Sequence, residues 1–402
     1  RNGAGFRWFR TYCFRKTLAY MEYQLTSKHE EIREKVRKFA EERVKPIAVQ
    51  LDEDEQFSEE LTKEMGRLGL YGIVIPKEYG GQGLDYMALV LAVEELSKID
   101  GSQAGTLAAH NCLGVNPIYY YGTEEQRRKY LPLLCSGEKL WAFGLTEPNA
   151  GSDALGAETT AVLENGEWTI NGHKIFISNA TNSMSAGITL LARTGETNGR
   201  RELSAIMIPR ETGYTTERIT KKLMWRASDT GKLTFNDIKV PESSLLGVRG
   251  KGGRLMLETL DAGRLSIAAM GLGLAEGAYE EALAYANTRH QFGKPISSFQ
   301  AVSFKLAQMA TRIEAARQLL YHAVWLKDNG KPYAKEAAMA KLFCSEVATE
   351  AATEGSQIHG AYGLVKGSLV ERYFRDQRIL HVGEGTSEIL KMVIARQIGC
   401  KL

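Results

Sequence analysis

Two changes of hydrophobic rhythm divide the chain. From Thr26 the run Thr26-Ser27-Lys28-His29-Glu30 offers a helix-capping pattern, and Ile32, Val36 and Phe39 follow at helical spacings of three and four. The same rhythm runs through Leu61 to Leu70 and Met87 to Leu96, with Gly80, Gly81 and Gly83 marking a turn between them. Around Lys139 to Val248 it gives way to short β-branched or alternating segments: Trp168-Thr-Ile, Lys174-Ile-Phe-Ile-Ser, Ile188-Thr-Leu-Leu-Ala and Lys232-Leu-Thr-Phe. After Gly252 helical spacing returns and persists. Strands gathered in one block, with no helices alternating between them, exclude a doubly wound parallel sheet.

The expectation is therefore an α+β multidomain protein: an N-terminal helical domain (22–140), a central antiparallel β-domain (141–250) and a C-terminal four-helix-bundle domain (251–402). A chain of 402 residues exceeds what one core usually holds. Asn165-Gly166 before Glu167-Trp-Thr-Ile is a hairpin signal. Asn171-Gly172 and the Gly-Glu and Asn-Asp pairs read as further turns. In the last third, Met256, Leu257, Leu260, Ile267, Met270 and Leu274 form one stripe and Val302, Leu306, Met309 and Ile313 another, before an alanine-rich run from Ala337 to Ala352.

Residues 1–21 stand apart. Arg1, Arg7, Arg10, Arg15 and Lys16 occur without any acid, among Phe6, Trp8, Phe9, Tyr12, Phe14 and Tyr20. Taking these five charges from the formal +3 leaves −2 for the remainder. Three readings compete: an expression leader, a mitochondrial-type transit peptide, and an amphipathic membrane-surface arm. The first is preferred, because the sequence opens on Arg and Met21 directly precedes a helix-like pattern.

Several functions are argued against. A balance of +3 does not make a nucleic-acid surface. No transmembrane span is read, so stable membrane insertion is not expected. Five scattered cysteines, with no C-x-x-C pair, point to a reducing compartment and away from structural zinc. The histidines lack H-x-x-x-H spacing, so no metal site is expected. Gly271-Leu-Gly273-Leu-Ala-Glu-Gly277 is one residue too long for a dinucleotide fingerprint and sits in a helical stripe, so helix packing is its reading. Gly250-Lys-Gly-Gly253 reads as a domain linker. There is no G-x-S-x-G elbow.

Two loops remain. Phe143-Gly-Leu-Thr-Glu-Pro-Asn-Ala-Gly-Ser-Asp153 places hydroxyls, an amide and carboxylates at a boundary with strand structure. It can present backbone N–H groups to a flat polar ring, or be an ordinary β-turn. Ile175-Phe-Ile-Ser-Asn179 can flank a cofactor or simply be a strand. In His381-Val-Gly-Glu-Gly-Thr-Ser-Glu-Ile389, Glu384 stands between two glycines that let backbone approach a ligand closely. A helix N-terminus capped by Thr386 or Ser387 is the competing account.

Pro76-Lys-Glu-Tyr-Gly-Gly-Gln-Gly83, Leu145-Thr-Glu-Pro-Asn-Ala-Gly-Ser-Asp153, Arg289-His-Gln-Phe-Gly-Lys-Pro-Ile296, Arg375-Asp376 and Glu384-Gly-Thr386, in this order, make the chain from about Leu25 onward resemble the acyl-CoA dehydrogenases. The resemblance implies FAD as cofactor. Phe143, Leu145, Thr146 and Ser178 would lie at the isoalloxazine ring and Phe176 would pack on it. Arg289, Gln291, Phe292 and Gln300 would reach the FAD of a neighbouring subunit, Gln357 and Gly360 its ADP part, and Thr386 and Glu388 would contact FAD after the catalytic turn. Ser152, Asp261, Arg264 and Gly385 would bind substrate. A homotetramer is implied, with electron-transferring flavoprotein as acceptor, in a bacterial cytoplasm or, if the leader is natural, the mitochondrial matrix.

The implied reaction is α,β-dehydrogenation of an acyl-CoA to a trans-2-enoyl-CoA, with Glu384 as α-proton base and a β-hydride passing to flavin N5. Some members place the base directly before the arginine matching Arg264, where this chain has Gly263. Gly383 stands where many have tyrosine, which suggests room for a wider or branched acyl chain. Ala361 replaces a usual glycine, Phe176 a common tryptophan, and Ala104 stands near the arginine of decarboxylating members. Competing readings are a flavin monooxygenase or oxidase of the same architecture and a catalytically silent flavoprotein scaffold. His110 is expected to be either a polar group of the acyl pocket or a satisfied structural residue.

Overall fold

The computed structural model describes residues 24–197 and 199–401, so the leader read at 1–21 lies outside it. The first helix, α1 (Ser27–Phe39), starts where expected: Thr26 Oγ1 accepts from His29 N at 3.3 Å and His29 Nδ1 accepts from Thr26 N at 3.1 Å, a capping box with histidine in the glutamate's place. After a π-helical turn at Ala40–Val44 come α2 (Lys45–Glu53), α3 (Glu59–Arg67), α4 (Tyr86–Ser97) and α5 (Gly101–Ala109). A second π-helical turn, His110–Val115, leads to α6 (Asn116–Tyr121) and α7 (Glu124–Cys135). In the glycine turn before α4, a Cβ at Gly81 would fall 2.0 Å from the Ile75 carbonyl oxygen, which explains a glycine there. Every residue of α4 is buried, so this helix is enclosed on all sides.

The strands are β1 (Leu140–Gly144), β2 (Thr160–Glu164), β3 (Glu167–Ser178), β4 (Ser185–Thr197), β5 (Arg200–Pro209), β6 (Thr215–Arg218), β7 (Thr230–Pro241) and β8 (Leu245–Leu246). They form one sheet in the order β6-β7-β3-β2-β4-β5-β8, with β1 added on β4. The pairing is antiparallel as expected, except that β1 runs parallel to β4 and β2 meets β4 in parallel at Thr160 and Arg193. The Asn165-Gly166 hairpin is present, both residues having positive φ (51° and 80°).

Other presumed turns are bulges within longer strands. Asn171-Gly172 lies inside β3, opposite a bulge in β7 where Asp237 has φ 49°, and Asn171 Oδ1 accepts from Asp237 N at 2.8 Å. Gly195-Glu196 lies inside β4, beside a register shift between Arg193 and Gly195. The strands are accordingly longer and fewer than the turn pairs suggested.

The C-terminal part comprises α8 (Gly252–Thr288), the small hairpin β9 (His290–Gln291) and β10 (Lys294–Pro295), α9 (Gln300–Asp328), α10 (Ala334–His359), α11 (Leu369–Asp376) and α12 (Ser387–Gln397). Gly271, Gly273 and Gly277 are helix-packing glycines: Cβ atoms there would lie 2.9, 2.2 and 2.6 Å from the carbonyl oxygens of Cys344, Glu94 and Lys98. The largest apolar core joins Leu89 and Val93 to Met270, Leu274 and Val347, so the two helical regions share one interior. A second core lies between the α6–α7 region, the sheet and the start of α8, with Trp141, Leu191 and Met256 among its members. His110 joins α7 to β1, with Nδ1 accepting from Trp141 N at 3.2 Å and Nε2 donating to Leu134 O at 3.0 Å. It is a satisfied structural histidine, held neutral by burial with its pKa down to about 4.

Candidate active site

The turn before α12 carries both of its sequence readings at once. Thr386 caps α12, its Oγ1 accepting from Ile389 N at 3.2 Å, and two residues earlier Glu384 turns its side chain inward. Glu384 has φ 53°, a left-handed conformation uncommon for a glutamate, and Gly385 follows at φ 102°. Glu384 as a whole is half-buried, and its carboxylate Oε2 is closed off from solvent with no hydrogen-bond partner. It points at α8, where a Cβ on Gly263 would lie only 2.1 Å from it. Glycine at 263 is thus what gives the carboxylate its place.

Burial raises the Glu384 pKa to about 7, against the opposing pull of Lys341 and Arg264. Arg264, on α8 and 5% exposed, brings Nε to 3.5 Å from the Glu384 carbonyl oxygen and donates from NH1 to Asp261 Oδ1 at 2.5 Å. Burial also raises the Asp261 pKa, opposed by Arg264. Lys341, on α10, donates to the Gly385 carbonyl at 2.7 Å. Sequence reasoning passed over Lys341, although a lone cation at helical spacing from Ala337, Cys344 and Ala348 in an apolar run is a legible signal.

The β-domain carries the second group of predicted site residues. Lys174, fully buried, donates to Leu145 O (3.2 Å), Leu191 O (2.7 Å) and Glu147 Oε1 (2.6 Å). Burial lowers the Lys174 pKa to about 8; at Glu147 burial acts upward, but this cation together with hydrogen bonds from Thr159 and the Glu158 backbone holds the carboxyl below its ordinary value. Glu147 and Ala150 exchange backbone hydrogen bonds at 3.1 Å, so the loop also contains the ordinary tight turn. Ile175 N donates to Thr146 O at 3.0 Å, tying this loop to the end of β3. There a bulge between Lys174 and Ile177 puts Phe176 at φ 60° with its ring 64% exposed. Thr146 and Ser178 are half-buried, Phe143 and Leu145 are buried, and Ser152 is exposed on the loop.

This wall fits a flat ring with a polar edge. An aromatic is held outward by strained backbone, hydroxyls stand beside it, and the loop beneath is pinned by a buried ion pair.

The remaining predicted contacts are on the surface. Arg289, Gln291, Phe292 and Gln300 are exposed around the β9–β10 hairpin, and Gln357 and Gly360 are exposed at the end of α10. Phe292 is 92% exposed at φ 50°. Glu388 is exposed on the first turn of α12.

A helical–β–helical body with a shielded carboxylate oxygen and a wall whose shape fits a flat ring is consistent with a flavoprotein dehydrogenase. Family models described as the N-terminal, middle and C-terminal domains of acyl-CoA dehydrogenase match residues 26–138, 142–238 and 250–399. The chain belongs to the acyl-CoA dehydrogenase family. It is 45% identical over 379 residues to the short-chain specific acyl-CoA dehydrogenase of Clostridium acetobutylicum, covering 94% of this chain and all of that one. The structure of butyryl-CoA dehydrogenase from Megasphaera elsdenii superposes with a TM-score of 0.91 at 40% identity, covering 94% of this chain and 100% of the other. A chain solved in work on the electron transferring flavoprotein of Acidaminococcus fermentans and flavin-based electron bifurcation matches with a TM-score of 0.92 at 42% identity, over 95% and 100% of the two chains.

Proposed function

We propose that Glu384 is the base of an FAD-dependent acyl-CoA dehydrogenase whose substrate is a short-chain acyl-CoA. The family membership makes the reaction α,β-dehydrogenation of an acyl-CoA thioester. The observation that carries Glu384 is its shielded, unpartnered carboxylate oxygen Oε2 facing Gly263. An α-proton of a thioester is a poor match for an ordinary solvated carboxylate, and burial raises the basicity of this one. Arg264 holds the Glu384 backbone from α8, which fixes the direction in which the carboxylate faces the substrate. The Glu384 backbone N–H is assigned to the thioester oxygen, where negative charge develops as the proton leaves. Asp261, Ser152 and Gly385 are assigned to the pantetheine arm and the thioester end.

FAD when bound supplies the acceptor for the β-hydrogen, taken as hydride. Thr146 and Ser178 would hold its ring edge and Phe176 its face, above Phe143 and Leu145, with Thr386 and Glu388 adjoining. Arg289, Gln291, Phe292, Gln300, Gln357 and Gly360 are assigned to FAD shared with a neighbouring copy. Their exposure, together with that assignment, supports a homotetramer. Electron-transferring flavoprotein is the proposed acceptor. The domains are assigned to 22–140, 141–250 and 251–402. The short-chain assignment rests on the two relatives named for short-chain and butyryl substrates.

Two measurements test this. Anaerobic bleaching of the FAD-loaded protein by acyl-CoAs of graded length and branching should be fastest with four to six carbons or so, about the length of a butyryl group. Fastest bleaching by a long or branched acyl-CoA overturns the substrate assignment. Glu384→Gln should keep FAD and lose at least about a hundredfold in turnover, and near-normal turnover removes Glu384 from the mechanism.

A further inference from the structure

Lys341 is fully buried on α10, in an otherwise apolar stretch that includes Ala337, Ala340, Cys344 and Ala348. A charged amine in such a place is costly unless something requires it. Among the described residues no carboxylate oxygen lies within 4.0 Å of its Nζ, and its one side-chain hydrogen bond is the 2.7 Å donation to Gly385 O. That carbonyl belongs to the residue directly after Glu384, whose Oε2 is also buried and has no hydrogen-bond partner. On the other flank Arg264 reaches the Glu384 carbonyl from α8. Two cations from two helices therefore grip consecutive carbonyls of one left-handed turn.

We propose that Lys341 is a positioning residue for the dehydrogenation: it locks the Glu384–Gly385 turn through the Gly385 carbonyl, and its charge sets the pH at which Glu384 becomes a base. This rests on the reading of Glu384 given above. A cation near a buried carboxylate favours its ionised form, and that opposes the desolvation that makes Glu384 basic. The groups acting on this pair are Arg264 with Asp261 from α8, Glu388 from α12, His381 from the turn before it, and Cys112 from the π-helical turn. Burial lowers the Lys341 pKa to about 8, so the amine is cationic at neutral pH and can carry this role.

The test uses FAD-loaded full-length protein and three substitutions. Lys341→Met removes donor and charge, Lys341→Gln keeps a donor without charge, and Lys341→Arg keeps the charge. FAD content by absorbance and the pH dependence of kcat/KM are measured for each, with Glu384→Gln alongside. The acid limb of kcat/KM is expected to move up by about one pH unit or more in the Met and Gln variants, and to stay in place in Lys341→Arg. A merely structural lysine would lower kcat without moving that limb.

An unmoved limb in both uncharged variants, with Glu384→Gln inactive, overturns the role of Lys341 and leaves that of Glu384 standing. Near-normal turnover by Glu384→Gln overturns Glu384 itself. If neither uncharged variant yields folded, FAD-loaded protein, Lys341 is a determinant of folding and the proposal falls.

Discussion

At the scale of single residues, the site is governed by one carboxyl group and the hydrogen atom facing it. A side chain at 263 must push the Glu384 carboxylate aside, because its Cβ would fall 2.1 Å from Oε2 and 2.9 Å from Cδ. Gly263→Ala is therefore expected to bind FAD normally and to lose about tenfold or more in kcat, since catalysis tolerates misplacement of about an ångström poorly. Unchanged kcat in that variant would show that the carboxylate works from another position.

Burial raises the Glu384 pKa from 4.5 to about 7, so the folded protein holds this proton more tightly than the unfolded chain does. Its contribution to stability is present in full below about pH 4.5 and is lost as pH rises through about 7. Glu384→Gln should accordingly gain up to about 3 kcal/mol of stability over the parent near pH 8, and so melt higher there, with the two converging at about pH 4. Thermal scans of the holoproteins at both pH values check the sign. Glu384 itself was legible, because two glycines around an acid are conspicuous in sequence. Lys341 was visible as a lone cation in an apolar helical run, but its role was not, because that depends on which turn of which distant segment α10 meets.

At the scale of elements, the loop after β1 and the bulge in β3 are made one unit by a buried ion pair. Lys174→Met would leave the Glu147 carboxylate, 3% exposed, without its cation and would release Leu145 O and Leu191 O. A loss of about 3 kcal/mol or more is expected, together with a fall in FAD content, measurable by denaturant unfolding and the flavin-to-protein absorbance ratio. Full FAD content at reduced stability would confine Lys174 to folding.

The same region shows why helices were easier to read than strands. The apolar spacing within α1 and along α9 and α10 is local, and the capping box at Thr26 lies within four residues. Whether Asn171-Gly172 reverses the chain or only faces a bulge depends on β7, some sixty residues away, where Asp237 bonds back to Asn171. The parallel placement of β1 on β4 is non-local in the same way.

At the scale of the whole molecule, the β9–β10 hairpin presents Phe292 outward. Phe292 and Gly293 both have positive φ (50° and 80°), which a bulky aromatic adopts at a cost, and the ring is 92% exposed. Under the assigned shared FAD site, Phe292→Ser should weaken both assembly and cofactor retention while leaving helical content unchanged. Sedimentation velocity and flavin content measure the two effects, and a variant that keeps both excludes the hairpin from the interface.

The same α8 backbone that makes room for the Glu384 carboxylate at Gly263 also runs, over 37 residues, against the Ser204–Ala205 backbone at Gly252, the Glu94 carbonyl at Gly273 and the Lys98 carbonyl at Gly277. A rod of about 55 Å that serves the sheet, the N-terminal helices and the reaction centre cannot fray in one place without loosening the others. Heating should consequently give one calorimetric endotherm, with flavin release and loss of secondary structure falling on the same curve.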